Sequence, residues 1–375
     1  MAKRNYRKSS KKIQPAVETL TFYLKTVDPG TPSGTGEVTP GQTTYYCDLS
    51  QVASLANRRF YRQGLNWAVG GMRFNSTNVV TVGGSTLVQP DAPEGAITIQ
   101  KLPNTWIFSN AWEKGFRAWQ KMNMKAQEDA PSIKPKFLDF KIFMDSLHHG
   151  AKAGVAANIL PAVANTDFTS PVIGYSDATP GEWIYSKFVV PNSDSATGGI
   201  QNREVIAVGA SYPGAGASGL GAVSLIEGYA ASRALPNIVD PNLPGDAFDA
   251  EGSAPQNWLT ALFNEGTQQD DQVLSDMVEN NEVPYPFEND TAGNNDTMYP
   301  GGANQLDGLQ LHAIENITGS TIGGVTYVKG GNFPCGLIRI DVFNTDTVYE
   351  QLNILQIDLV PGSHRGYLAE PMTDM

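Results

Sequence analysis

Along much of the chain, apolar and polar residues alternate in short runs bounded by Gly, Pro, Asn and Asp, the period of strands with one buried face. In "ETLTFYLKTV", Leu20, Phe22 and Leu24 alternate with Thr19, Thr21, Tyr23 and Lys25. In "GLIRIDVF", Ile338, Ile340 and Val342 share a face opposite Arg339 and Asp341, and in "LNILQIDLV", Leu355, Ile357 and Leu359 oppose Gln356 and Asp358. With comparable runs between them, the pattern predicts strands at 17–27, 65–74, 96–101, 137–145, 182–191, 203–210, 336–343 and 353–360. Helices do not alternate regularly with these runs. The expectation is therefore an all-β fold of eight strands, a sandwich or jelly roll, with helical insertions.

Three stretches change to a helical period. In "NAWEKGFRAWQKMNMKAQED" (110–129), Trp112, Phe116 and Trp119 fall on one face, and Asn110 and Glu113 have the spacing of a capping box. Lys114, Arg117, Lys121 and Lys125 lie on the opposite side. Such cations read either as a solvated helix face or as a secondary nucleic-acid contact. Further helices are predicted at 222–235 and within 254–281.

Charge divides the chain into two parts. The formal net charge is -12, yet the first twelve residues carry Lys3, Arg4, Arg7, Lys8, Lys11 and Lys12 and no acid. Without these six cations, 20 Lys and Arg face 38 Asp and Glu, a body charge of about -18. Residues 1–16 have few apolar groups and one charge sign, so an arm that stays unfolded until a polyanion orders it is expected. From Ala234 to Val328 there is no Lys or Arg but there are fifteen acids, which reads as a solvated surface insertion facing away from whatever the arm binds. No apolar run approaches the length of a membrane span, and the residues after the arm lack a secretory signal's apolar stretch, so no membrane span is expected. Cys47 and Cys335 are too few for a disulfide framework and read as reduced core residues.

Motifs that would carry catalysis are weak. Gly214, Gly216 and Gly219 fit the G-x-G-x-x-G spacing between a strand and a predicted helix. Yet Pro213 intervenes after the strand, Asp240 lies in a Pro-rich loop, and no parallel βαβ array surrounds the glycines. His148 and His149 have no nearby ligand set at zinc spacing and read as a surface or turn pair. No serine elbow occurs. The expectation is a protein that is not an enzyme, with no catalytic residues, no metal site and no cofactor, save a structural divalent cation at subunit contacts.

Several blocks taken together resemble the capsid proteins of circular, Rep-encoding single-stranded DNA (CRESS-DNA) viruses: "YYCDLSQVASLANRRFYRQG" (45–64), "KLPNTWIFSNAWEKGFRAW" (101–119), "GEWIYS" (181–186), "SLIEGYAASRALPN" (224–237), "GGNFPCGLIRID" (330–341) and "LVPGSHRGYLAEPM" (359–372). The resemblance implies an eight-stranded viral jelly roll over 17–375, icosahedral self-assembly, and a disordered basic arm at 1–16 that meets a packaged single-stranded genome. It also implies localisation in the virion and, during assembly, the host nucleus, with the arm as an import signal read by host receptors. In jelly-roll order the eight runs become strands B to I, and the acidic insertion at about 211–330 becomes the G–H connection. On this expectation Lys3, Arg4, Arg7, Lys8, Lys11 and Lys12 hold phosphates nearly blind to sequence, and Tyr6 stacks on a base. Six cations per copy are few: roughly sixty copies carry about 360 positive charges, against one phosphate for each of a few thousand nucleotides. The capsid of a small RNA virus and a non-viral β-sandwich binding module are the alternatives.

Overall fold

The computed structural model describes residues 16–32, 38–82, 85–89, 91–128, 138–151, 158–164, 175–178, 183–192, 199–209, 221–226, 228–229, 308–318 and 324–375. These are mostly β, with few helices, and form a sandwich of curled antiparallel sheets. The longer elements are β1 (Thr19–Val27), β2 (Gly41–Asp48), α1 (Leu49–Asn57), β3 (Leu65–Val82), β4 (Gly95–Lys101), α2 (Trp106–Ala126), α3 (Ser146–Ala151), β5 (Lys187–Asn192), β6 (Gly199–Ile206), β7 (Ala222–Ser224), β8 (Gln310–Ile317), β9 (Val325–Phe333), β10 (Leu337–Asn344) and β11 (Glu350–Leu359).

One sheet runs β1-β11-β3-β9, and the other runs β8-β4-β10-β2. All pairs in both sheets are antiparallel, and their registers put the alternating apolar residues on facing surfaces. Leu20, Phe22, Met72, Phe74, Leu355 and Ile357 from the first sheet pack on Cys47, Ile97, Ile99, Ile338, Ile340 and Val342 from the second. A one-residue slip would turn these side chains out to water, so burial fixes the register.

The second sheet is covered on its outer side as well. Leu337, Tyr46 and Cys335 join α2, Phe140, Ile142, Met144, Val205 and Leu225 in a separate core cluster. This covering buries Arg339 and Asp341, which alternation alone would place in water. The Arg339 guanidinium lies 3.2 Å from Asp145 and 3.2 Å from Asp341. The Tyr46 hydroxyl donates to Asp145 at 2.9 Å. A buried carboxylate is tolerated when charge and hydrogen bonds both satisfy it, and here they do.

Several expectations need correction. The 137–145 run is not a sheet strand: within its described part Phe140, Ile142, Phe143 and Met144 are all buried, and Phe143 makes only an isolated bridge to Ile206. Its backbone bonds are divided between the Gln63 and Ser186 side chains and the main chain of Ser186, Val205, Ala207 and Val208, too scattered to make a ladder. The runs at 182–191 and 203–210 give β5 and β6, which pair in a small sheet with β7, apart from the sandwich. The two facing sheets instead take in β2, β8 and β9. Since β8 and most of β9 lie within 211–330, that stretch is only in part an insertion.

The helix predicted at 110–129 is α2, which begins at Trp106 with Thr105 as its N-cap, the Thr105 hydroxyl accepting from the Phe108 amide. Asn110 and Glu113 therefore form no capping box, and Glu113 pairs with Arg117 instead. At 222–235 the described residues begin with β7, and only 225–226 and 228–229 are helical. The helical stretch at 254–281 lies outside the described residues. His148 and His149 are buried, not on the surface. The Met144 amide donates to His148 Nδ1 at 3.0 Å, so Nε2 carries the proton toward Asn158 Oδ1, 2.9 Å away. His149 Nε2 lies 2.8 Å from Glu204, tying α3 to β6. No helix among the described residues is long and apolar enough to cross a membrane.

Substituting Arg339→Met leaves Asp145 and Asp341 buried without their cation. Removing one partner of a buried ion pair costs about 3–5 kcal/mol, so a large fall in the urea midpoint with little change in cooperativity is expected.

Candidate nucleic-acid interface

The arm residues Lys3, Arg4, Arg7, Lys8, Lys11 and Lys12 lie outside the described residues, but the place where the chain enters the fold is defined. At Val17 the backbone amide donates to Asn57 Oδ1 at 3.0 Å, and the carbonyl accepts from the Tyr367 hydroxyl at 2.6 Å. Asn57 Nδ2 in turn donates to that hydroxyl at 2.7 Å. Three bonds thus clamp the start of the sandwich between the end of α1 and a hairpin pairing Pro361–Gly362 with Gly366–Tyr367.

Both walls of this clamp follow from local sequence. Asp48 caps α1, its carboxylate accepting from the Ser50 and Gln51 amides. Leu49, Val52 and Ala53 bury one side of the helix, which ends when Arg58 turns left-handed at φ 53° and its amide bonds Ser54. Tyr61, Trp67 and Tyr367 then form an aromatic knot with ring centroids 5.5 to 5.7 Å apart. The Tyr61 hydroxyl donates to the Arg365 carbonyl at 3.0 Å, and the Arg365 guanidinium donates back to the Phe60 carbonyl.

The result is a group of cations around the point where the arm leaves. Arg58, Arg62 and Arg365 are exposed, with Arg59 partly so. Arg62 donates to the Leu138 carbonyl at 2.8 Å. Two of the three non-glycine residues with positive φ among the described residues are Arg58 and Arg365, a backbone state that costs energy and that tight local bonding must hold. His364 stands beside them; burial and then Arg365 lower its pKa, which favours the neutral ring. Glu18 is the nearby exposed acid, felt together with Arg59 at the Tyr367 hydroxyl. The sequence signal for these residues was the "NRRFYR" run at 57–62, which marked a familiar block without marking a surface.

The α2 cations Lys114, Arg117, Lys121 and Lys125 are all on exposed positions of that helix, while Trp112, Phe116 and Trp119 pack toward Phe140. Lys114 lies over the Tyr229 ring at 5.1 Å, and Arg117 bonds Glu113 at 2.5 Å. Gly115 lets α2 approach closely, because a Cβ there would meet Leu225 at 2.4 Å.

Other features offer less. An open groove of about 480 Å³ crosses the outer face of the first sheet, lined by Tyr23, Arg73, Tyr327 and Gln356 among others. Its arginine is already held by Asp358 at 3.0 Å. The Gly214–Gly219 loop lies outside the described residues, and the element after it is β7 rather than a helix. No group of three or more His, Cys, Asp or Glu placed to hold a metal ion occurs among the described residues. Cys47 and Cys335 are free and buried, and burial pushes both thiols well up. No protein-family model, curated protein or solved structure matches the chain.

Burial raises the Asp48 carboxyl to about 7, against the Gln63, Gln51 and Ser50 hydrogen bonds that favour its charged form. A raised acid binds more protons folded than unfolded between about pH 4 and 7, so this group makes stability fall as pH rises through that window. Urea midpoints followed across it should show up to about one proton less of dependence in Asp48→Asn than in the parent. An unchanged slope would contradict this account.

Proposed function

We propose that this chain is the capsid protein of a single-stranded DNA virus, assembling with copies of itself into an icosahedral shell and packaging the genome through its basic arm. The observation that carries the reading is strand order. Lettered B to I along the chain, the strands β1, β2, β3, β4, β8, β9, β10 and β11 of the two facing sheets give the orders B-I-D-G and C-H-E-F. This order supports the jelly-roll reading, in which a long antiparallel hairpin is rolled into two facing sheets, an architecture of viral shells. In this lettering the long connection is E–F, and α2, α3 and β5 to β7 belong to it. The acidic stretch from Ala234 lies mainly there instead of between G and H.

The arm supports the second half of the reading. Its six cations meet phosphates electrostatically, with affinity that salt weakens and with little choice of sequence. The cations of α2 serve as a second contact. Phosphate binding does not separate DNA from RNA, and the resemblance of the sequence blocks is what favours DNA. The same Lys and Arg cluster serves as a nuclear-import signal, so residues 1–16 fused to a cytoplasmic reporter should carry it into the nucleus; diffuse reporter would remove that role.

Electron microscopy of the purified full chain, with assay of nuclease-protected nucleic acid, tests the main claim. Closed uniform shells are expected from the parent and also from a chain with all six arm cations changed to Gln. Only the parent should protect DNA well. A monomer without shells across salt and pH would overturn the capsid reading.

A further inference from the structure

We infer that Arg58, Arg62 and Arg365 form a folded phosphate-binding collar around the arm's exit, contacting the backbone of single-stranded nucleic acid independently of the arm. The inference deepens the packaging reading and rests on it. Its first support is charge without a direct ion pair, the buried Asp139 acting on Arg62 only through space. The chain holds 38 acids, yet among the described residues Arg58, Arg62 and Arg365 enter no ion pair. By contrast, Arg73, Arg117 and Arg339 are each paired with a carboxylate.

The second support is geometry. Arg62 and Arg365 each give one bond to a main-chain carbonyl, Leu138 and Phe60, and both side chains are exposed. A guanidinium has five N–H donors in a rigid fork. One bond to a fixed carbonyl orients the fork and leaves donors for a phosphate, so less side-chain freedom is lost on binding. Arg58 and Arg365 are displayed from left-handed turns that an asparagine or glycine would adopt more readily. Arginine there is costly for folding alone.

The third support is position. Val17 is bonded to Asn57, next to Arg58, and to Tyr367, two residues from Arg365. Five residues separate Val17 from Lys12, a reach of at most about 18 Å. The collar thus stands where the chain enters the fold, and its contacts do not depend on the arm.

The test uses the full chain and a labelled oligothymidylate, with affinity measured by anisotropy over about 50 to 200 mM salt. Each phosphate contact on a single strand contributes about 0.7 to the slope of log K against log salt. The variant Arg58→Asn, Arg62→Gln, Arg365→Asn keeps residues that suit the left-handed turns. It should lower that slope by about 2 and weaken binding, in the parent and equally in the arm-neutralised background. Lys at the same three positions should preserve the slope. Arg62→Gln alone, at an ordinary backbone position, should lower it by about 0.7 whether or not the triple variant folds. Unchanged slopes in folded variants would overturn the collar while leaving packaging by the arm intact. A loss seen only when the arm is present would overturn independent contact as well. If the parent itself binds no oligonucleotide, the packaging reading falls, and the collar with it.

Discussion

The burial of Arg339 between Asp145 and Asp341 is the constraint on which the arrangement of this protein turns. β10 is apolar on its inner side, where Ile338, Ile340 and Val342 fill the sandwich, and charged on its outer side. A two-layer sandwich would leave that outer side wet. Here the connection after β4 folds back and supplies Asp145, so the guanidinium leaves water only because two carboxylates and the Tyr46 hydroxyl surround it. Removing charges from water is unfavourable unless the whole set is present, which makes the covering layer and the sheet fold as one unit. α3 reinforces the joint: His148 stacks on Tyr46 with centroids 4.3 Å apart, and the His148 amide donates to Asp145 at 2.7 Å. The covering layer is therefore integral to the sandwich.

The same economy of contacts governs the opposite end, where the chain begins. Val17 leaves much of its apolar side chain exposed, and hydrogen bonds to Asn57 and Tyr367 hold it instead. Those partners are rigid because Tyr61, Trp67 and Tyr367 pack together beneath them. A rigid floor under exposed arginines distinguishes this end from the α2 face, where Arg117 is engaged by Glu113 and Lys114 lies against Tyr229. Phosphate contacts made from fixed residues lose less freedom than contacts made from long unpaired side chains.

Strands with clean alternation were legible in the sequence. β1, β10 and β11 appear where their apolar periods placed them, and the Trp112, Phe116 and Trp119 stripe packs as its spacing predicted. β2 was missed because "GQTTYYCD" is polar at its start and buried on both faces at its end, so no period of two survives. β8 was hidden by its setting, an acidic stretch in which Leu311 and Ile314 point outward while Ala313 points in. The run at 137–145 failed in the other direction: it alternates as a strand would, but a covering layer needs buried residues without a ladder. The collar was illegible for a different reason. Arg58 and Arg365 are 307 positions apart, and only the closure of the sandwich brings the end of α1 against the C-terminal hairpin.

Charge then decides how such a body approaches a polyanion. A molecule whose body carries about -18 is repelled by nucleic acid at long range, yet at physiological salt the field of an exposed charge fades over about 8 Å. Inside that distance only local composition matters. At the arm's exit Arg58, Arg62 and Arg365 are exposed and without a direct ion pair among the described residues, whereas the sequence from Ala234 to Val328 has acids and no Lys or Arg. In the proposed shell the arm and these arginines would favour the genome side of each copy, before any surface between copies is made. The same asymmetry bears on the small number of arm charges. A collar that binds without the arm adds three cations to six, and it adds them where the fold has already met the cost of holding them in place.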